Sequence, residues 1–88
     1  MAKRERLEVI NDILKVIRDN RSVRPTKVLH SSNLSPQMFK EYIDELLTKK
    51  FIEQREEDDK KFYSLTEKGY EFLQKYKAMT ELIANFGL

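Results

Sequence analysis

Cysteine is absent from this 88-residue chain, which excludes disulfides and thiolate metal sites. The single histidine, His30, has no Cys or second His with which to share a metal. Glycine and proline occur only twice each, a scarcity that favours helices and short loops over an open β architecture. No apolar run exceeds a few residues, so no membrane contact is expected, and residues 1–6 lack the apolar segment of a signal peptide. The expectation is a soluble, cytoplasmic protein. A glycine-rich phosphate loop, metal-ligand spacing and a nucleophile with a base to serve it are missing too, so no enzyme, cofactor or small-molecule ligand is expected. His30 reads as a helix-surface or half-buried packing residue rather than a base. The acidic run Glu56-Glu57-Asp58-Asp59 lacks the glycine and alternating spacing of a calcium loop and reads as a solvated turn.

What is present is a chain sized for one core, with 40% apolar and 36% charged residues. Net charge is only +2, but it is unevenly placed: residues 1–27 hold eight Lys/Arg against four Asp/Glu, and residues 51–65 hold three against five. Attraction to phosphate has to come mainly from the N-terminal third.

Periodicity supplies the elements. Leu7, Ile10, Ile13, Leu14 and Ile17 form the buried stripe of a first helix ending near Asn20, preceded by the basic triplet Lys3, Arg4 and Arg6. Ser22-Val23 is a candidate short strand. Pro25 opens a second helix with Val28 and Leu29 turned inward, and Asn33 suits the left-handed residue that stops it. Ser35 is placed to cap a third helix that starts at Pro36 and buries Phe39, Tyr42, Ile43, Leu46 and Leu47. Its other face carries Gln37, Lys40, Glu41, Asp44 and Thr48. Strands at 51–55 and 61–65 flank a charged turn, and Thr66 caps a last helix. Gly69 in that helix's first turn costs about 1 kcal/mol relative to alanine, which a close approach to the hairpin would explain.

This order gives the fold class: mainly α with a small β-hairpin (α+β), a winged helix-turn-helix with an extended C-terminal helix. Residues 1–70 form the winged domain, and residues 71–88 continue the last helix for dimerisation. Phe72, Tyr76, Met79, Ile83 and Phe86 recur at the spacing of a coiled-coil seam and are the candidate dimer interface. The alternative is that this helix folds back over the first helix of its own subunit.

The stretch Tyr63-Ser-Leu-Thr-Glu-Lys-Gly69 resembles a strand-to-helix junction shared by many prokaryotic winged-helix regulators. With the basic start Met1-Ala-Lys-Arg, Leu7-Glu-Val-Ile and Asn33-Leu-Ser, the chain is similar over residues 1–77 to small archaeal winged-helix proteins of chromatin or regulator type. That resemblance implies double-stranded DNA binding, as dimers joined through an antiparallel coiled coil of C-terminal helices. Two departures stand out. The last helix stops soon after Phe86, and the third helix carries Glu41 and Asp44 on its outward face.

The residues expected to meet DNA are Ser35, Gln37 and Lys40 at base edges or flanking phosphates, Arg24 and Lys27 on the backbone, and Lys60 and Lys61 from the wing. A wing tip of acidic residues is poorly suited to a minor groove. The competing reading is a winged-helix module that binds protein, favoured by that acidic wing and the nearly balanced charge.

Overall fold

The computed structural model describes residues 3–88, with side chains from Glu5 onward; the basic start Met1-Ala-Lys-Arg lies outside the described residues, apart from the backbone of Lys3 and Arg4. Six elements follow in order: α1 Lys3–Asn20, α2 Pro25–Ser32, α3 Pro36–Thr48, β1 Ile52–Glu57, β2 Lys60–Leu65 and α4 Glu67–Asn85. The apolar stripe of α1 is the centre of the core, with Ile13, Leu14 and Ile17 fully buried. Val28 of α2, Phe39, Ile43 and Leu46 of α3, Ile52, Tyr63 and Leu65 of the hairpin and Leu73 of α4 close around it. Leu7, expected in the stripe, is only half-buried, because it borders the open groove between α1 and α4.

β1 and β2 pair antiparallel from Ile52↔Leu65 to Glu57↔Lys60. Both strands outrun the expected 51–55 and 61–65. Glu56 faces Lys61 and Glu57 faces Lys60, so opposite charges zip the hairpin to a two-residue turn. That turn is Asp58-Asp59, with φ of 50° and 64°, the left-handed pair that matches the twist of a tight hairpin. The candidate strand at Ser22-Val23 is a single bridge: Val23 N–H donates to Tyr63 O at 3.0 Å and Tyr63 N–H to Val23 O at 2.8 Å. Phe51 stays outside β1 and belongs to the end of α3.

At that end, Lys50 N–H donates to Leu47 O at 3.1 Å and Phe51 N–H to Leu46 O at 2.9 Å, closing the helix as a Schellman motif. Lys50 holds the left-handed position with φ 67°, where a side chain is strained and glycine is not. Lys50→Gly is expected to stabilise the fold by about 0.5–1 kcal/mol, the released strain being partly offset by a freer unfolded chain. A rise of a few degrees in the thermal midpoint checks it; a fall refutes it.

The junction into α4 gives each residue of the Leu-Thr-x-Lys-Gly stretch a task. Leu65 enters the core. Thr66 Oγ1 accepts from Gly69 N–H at 3.2 Å and shares its one proton between Lys50 O at 2.6 Å and Phe51 O at 3.1 Å. Lys68 Nζ donates to Lys49 O at 2.8 Å and lies 4.7 Å from the centroid of the Phe51 ring. Gly69 lets the first turn of α4 lie against Phe51. Together they dock the start of α4 on the end of α3, so the third helix is held from both sides.

A second tie comes from α1. Glu45 of α3 accepts from Arg6 and, at 2.8 Å, from Lys49. The Lys49 hydrogen bond, then that of Arg6, hold its carboxyl below the ordinary value of 4.5 against the opposing effect of burial. A carboxyl pKa lowered by folding contributes stability above its unfolded value and loses it as pH falls through the folded one. Glu45→Gln should therefore cost under about 1 kcal/mol at neutral pH, because Arg6 and Lys49 remain partly solvated. In urea titrations across pH, the gap between variant and wild type should close below the ordinary glutamate range; a gap that persists in acid would assign the loss to packing.

Candidate nucleic-acid interface

The turn between α2 and α3 decides which way α3 faces. Asn33 takes φ 58° and ψ 28°, ending α2, and Leu34 tucks partly inward. Ser35 follows in extended conformation and its side chain accepts from Met38 N–H at 3.2 Å, starting α3 directly at Pro36. Phe39, Ile43 and Leu46 then lie in the core, which leaves Gln37, Lys40, Glu41, Asp44 and Thr48 exposed on the opposite face. An exposed, capped helix leading from a tight turn is the geometry by which a recognition helix enters a groove.

The charges on that face temper each other. Lys40 Nζ lies 3.1 Å from an Asp44 carboxylate oxygen, with 74% and 60% of the two side chains exposed. Lys40 therefore carries its own counter-ion. Asp44 is felt farther in as well: burial first, and then its negative charge, push the Tyr63 phenol upward. Ser35 already accepts one hydrogen bond as the cap, which leaves its O–H and one further lone pair to offer.

Arg24 precedes α2 as N-cap residue, and no side chain caps that end. Pro25 sits at the first turn, and Lys27 beside it is exposed. Arg24 does not reach out alone: its guanidinium lies 5.9 Å from the centroid of the Phe62 ring, on β2. Lys60 and Lys61 point to opposite faces of the hairpin, each across from a glutamate. The wing thus joins Arg24 to its own sheet but separates its two lysines.

Two features escaped the sequence. Arg55 donates to Ser22 Oγ at 3.1 Å, which follows from the strand register, and Arg6 reaches Glu45 from a position 39 residues away. The first had a signal in the alternation of the hairpin. The second had none.

Beyond Leu73, α4 buries no further residue completely. Phe72 meets the Phe51 ring edge-on at 5.8 Å and Tyr76 stacks on Phe72 at 5.7 Å, so these two seam residues already pack within the chain. Met79, Ile83 and Phe86 remain 42%, 36% and 76% exposed. Met79 and Ile83 line, with Tyr76, Leu88 and Leu7 of α1, an open groove of about 440 Å³. The last turn is a second Schellman motif: Gly87, at φ 79°, and Leu88 donate to Ala84 O and Ile83 O at 2.9 and 3.2 Å. The helix approaches α1 without covering its own apolar face.

Among the described residues, no group of His, Cys, Asp and Glu is placed to hold a metal, and no helix is long and apolar enough to cross a membrane.

The model of the winged helix-turn-helix family matches residues 3–84. A protein of Methanocaldococcus jannaschii, itself uncharacterised, is 36% identical over 92% of this chain, which spans 36% of that relative's length. Among solved structures, Sso10a-2, a DNA-binding protein from Sulfolobus solfataricus, superposes with a TM-score of 0.75 at 22% identity, covering 91% of this chain and 82% of that one. F93 from STIV, a winged-helix DNA-binding protein, gives 0.73 at 19% identity over 94% and 95%. At those identities the two structures speak for the fold. With the family match running through all six elements, the chain belongs to the winged helix-turn-helix family.

Proposed function

We propose that this protein binds double-stranded DNA as a homodimer in the cytoplasm, as a transcriptional regulator or a chromatin-type architectural protein. The observation that carries this reading is α3: capped by Ser35, backed by the core and open to solvent along Gln37, Lys40, Glu41 and Asp44. Ser35, Gln37 and Lys40 serve the groove; Arg24 and Lys27 hold the backbone, with Lys60 and Lys61 assisting from the wing. Sso10a-2 and F93 are described as DNA-binding, which supports the same reading for a chain of this fold.

Residues 71–88 serve dimerisation. The exposed Met79, Ile83 and Phe86 form an apolar patch of the kind that a second copy covers. Light scattering at micromolar concentration should return twice the chain mass, and a monomer throughout would remove this part.

Each phosphate neutralised adds about 0.9 to the slope of log affinity against log salt. With about four such contacts per subunit, affinity should fall roughly a hundredfold per subunit for a fourfold rise in salt. A fluorescence-anisotropy series with a mixed-sequence duplex measures this. Failure to bind at low salt would leave the second reading, a protein-binding module, which the acidic tip Asp58-Asp59 and the pair Glu41 and Asp44 favour.

A further inference from the structure

The face of the wing sheet turned away from the core carries a row of side chains that the recognition helix does not account for. Ile52, Tyr63 and Leu65 face inward. Strand alternation therefore puts Arg55 and Phe62, direct partners across the hairpin, on the outer face. Val23 pairs with Tyr63 along the other edge of β2, so its neighbours Ser22 and Arg24 flank the same outer face. The contacts agree with this register. Arg24 lies over one side of the Phe62 ring, and Arg55 spans β2 to donate to Ser22 Oγ at 3.1 Å. The Arg24 guanidinium on its Phe62 ring thus shares this face with Arg55 on Ser22, at the base of the wing.

The charges on this face also include Lys60, Glu53 and Glu57, the last of which lies 3.4 Å from Arg55 Nε. Counted together with Arg24 and Arg55 they leave the face one charge positive, whereas the tip beyond them is Asp58-Asp59. Guanidinium groups present several N–H donors in a fixed fork, which matches the oxygens of a phosphate as it does those of a carboxylate. Bracing on Phe62 and Ser22 restricts both side chains before any ligand arrives, which lowers the ordering cost of a later contact. Arg24 also stands where α2 begins, an end with positive partial charge and no side-chain cap.

From this we infer that the base of the wing, through Arg24 and Arg55 braced on Phe62 and Ser22, grips the phosphodiester backbone beside the duplex segment that α3 enters, and that the acidic tip does not. The inference rests on the proposed DNA binding and adds Arg55, Phe62 and Ser22 to it.

The test is duplex binding across a salt series for wild type, Arg55→Gln, Arg55→Lys, Phe62→Leu and the tip variant Asp58→Asn with Asp59→Gly, each checked for an unchanged circular dichroism spectrum. Arg55→Gln should lower the log–log slope by about 0.9 and weaken low-salt binding roughly tenfold. Arg55→Lys should restore the slope, since it restores the charge. Phe62→Leu should weaken binding two- to threefold at unchanged slope, because it removes the brace and not a cation, and the tip variant should not lower the slope. If Arg55→Gln titrates like wild type, or the tip variant loses as much slope, the inference is overturned while DNA binding stands. If wild type binds no duplex at low salt, the proposed function falls and takes the inference with it.

Discussion

Exchanging Lys27 and Lys40 together for glutamate is expected to reduce duplex affinity by at least about a hundredfold at low salt, with little change in thermal stability. The change removes two cations and adds two anions, so the salt dependence should lose up to two contacts' worth of slope, about 1.8. Both side chains are exposed, and surface substitutions of this kind usually shift stability by no more than about 0.5 kcal/mol. The single variants should not be equal. Lys27 stands at the uncapped start of α2, where reversal places an anion beside any bound phosphate. Lys40 already faces Asp44 at 3.1 Å, so part of its charge is met within the chain before DNA arrives. Lys27→Glu should therefore cost more affinity than Lys40→Glu, and Asp44→Asn should raise affinity for mixed-sequence duplex by freeing Lys40. Mobility-shift titrations of the four variants decide this. A double variant that binds duplex as wild type does would detach α3 and α2 from DNA and favour a protein partner on another surface.

α3 was legible from sequence because its determinants are local. A capping serine, a proline in the first turn and an apolar stripe at helical spacing lie within one segment, and Asn33 marks the preceding stop just as locally. The stripe of α1 and the Thr66 cap were readable for the same reason. The hairpin was readable in place but not in length, since Glu56 and Glu57 look like turn residues until Lys61 and Lys60 are set opposite them. Pairing across strands is not written in the composition of either strand. The Arg24, Phe62 and Arg55 row needs the register and the Val23 bridge together, and nothing in the spacing of these three residues announces it. Periodicity also groups Phe72 and Tyr76 with Met79, Ile83 and Phe86 as one seam. It cannot tell which of them the chain's own Phe51 engages, because that depends on where the end of α3 lies.

Gly69→Ala sets two effects of known size against each other, and the contact geometry says which prevails. By helix propensity alone the substitution should stabilise α4 by about 1 kcal/mol. A Cβ at this position, however, would stand 2.4 Å from Phe51 O and 3.2 Å from Leu65 Cδ2. The first obstacle is a backbone carbonyl that already accepts from Thr66 N–H at 3.2 Å and from Thr66 Oγ1 at 3.1 Å, so it cannot move without loosening the junction that seats α4 on α3. Overpacking of this kind costs about 1–3 kcal/mol, and a blocked backbone atom places Gly69 at the upper end. The net expectation is a loss of about 2 kcal/mol, or roughly 10 °C in the thermal midpoint for a domain of this size. Valine, branched at Cβ and a poorer helix former, should lose more. The consequence for function follows from position: Phe51 terminates α3, so a displaced carbonyl tilts the helix that carries Gln37 and Lys40, and duplex affinity should fall even where most molecules remain folded. Chemical denaturation alongside duplex titration reads both, and an alanine variant more stable than wild type would show that Phe51 yields freely and that the glycine is not required by the contact.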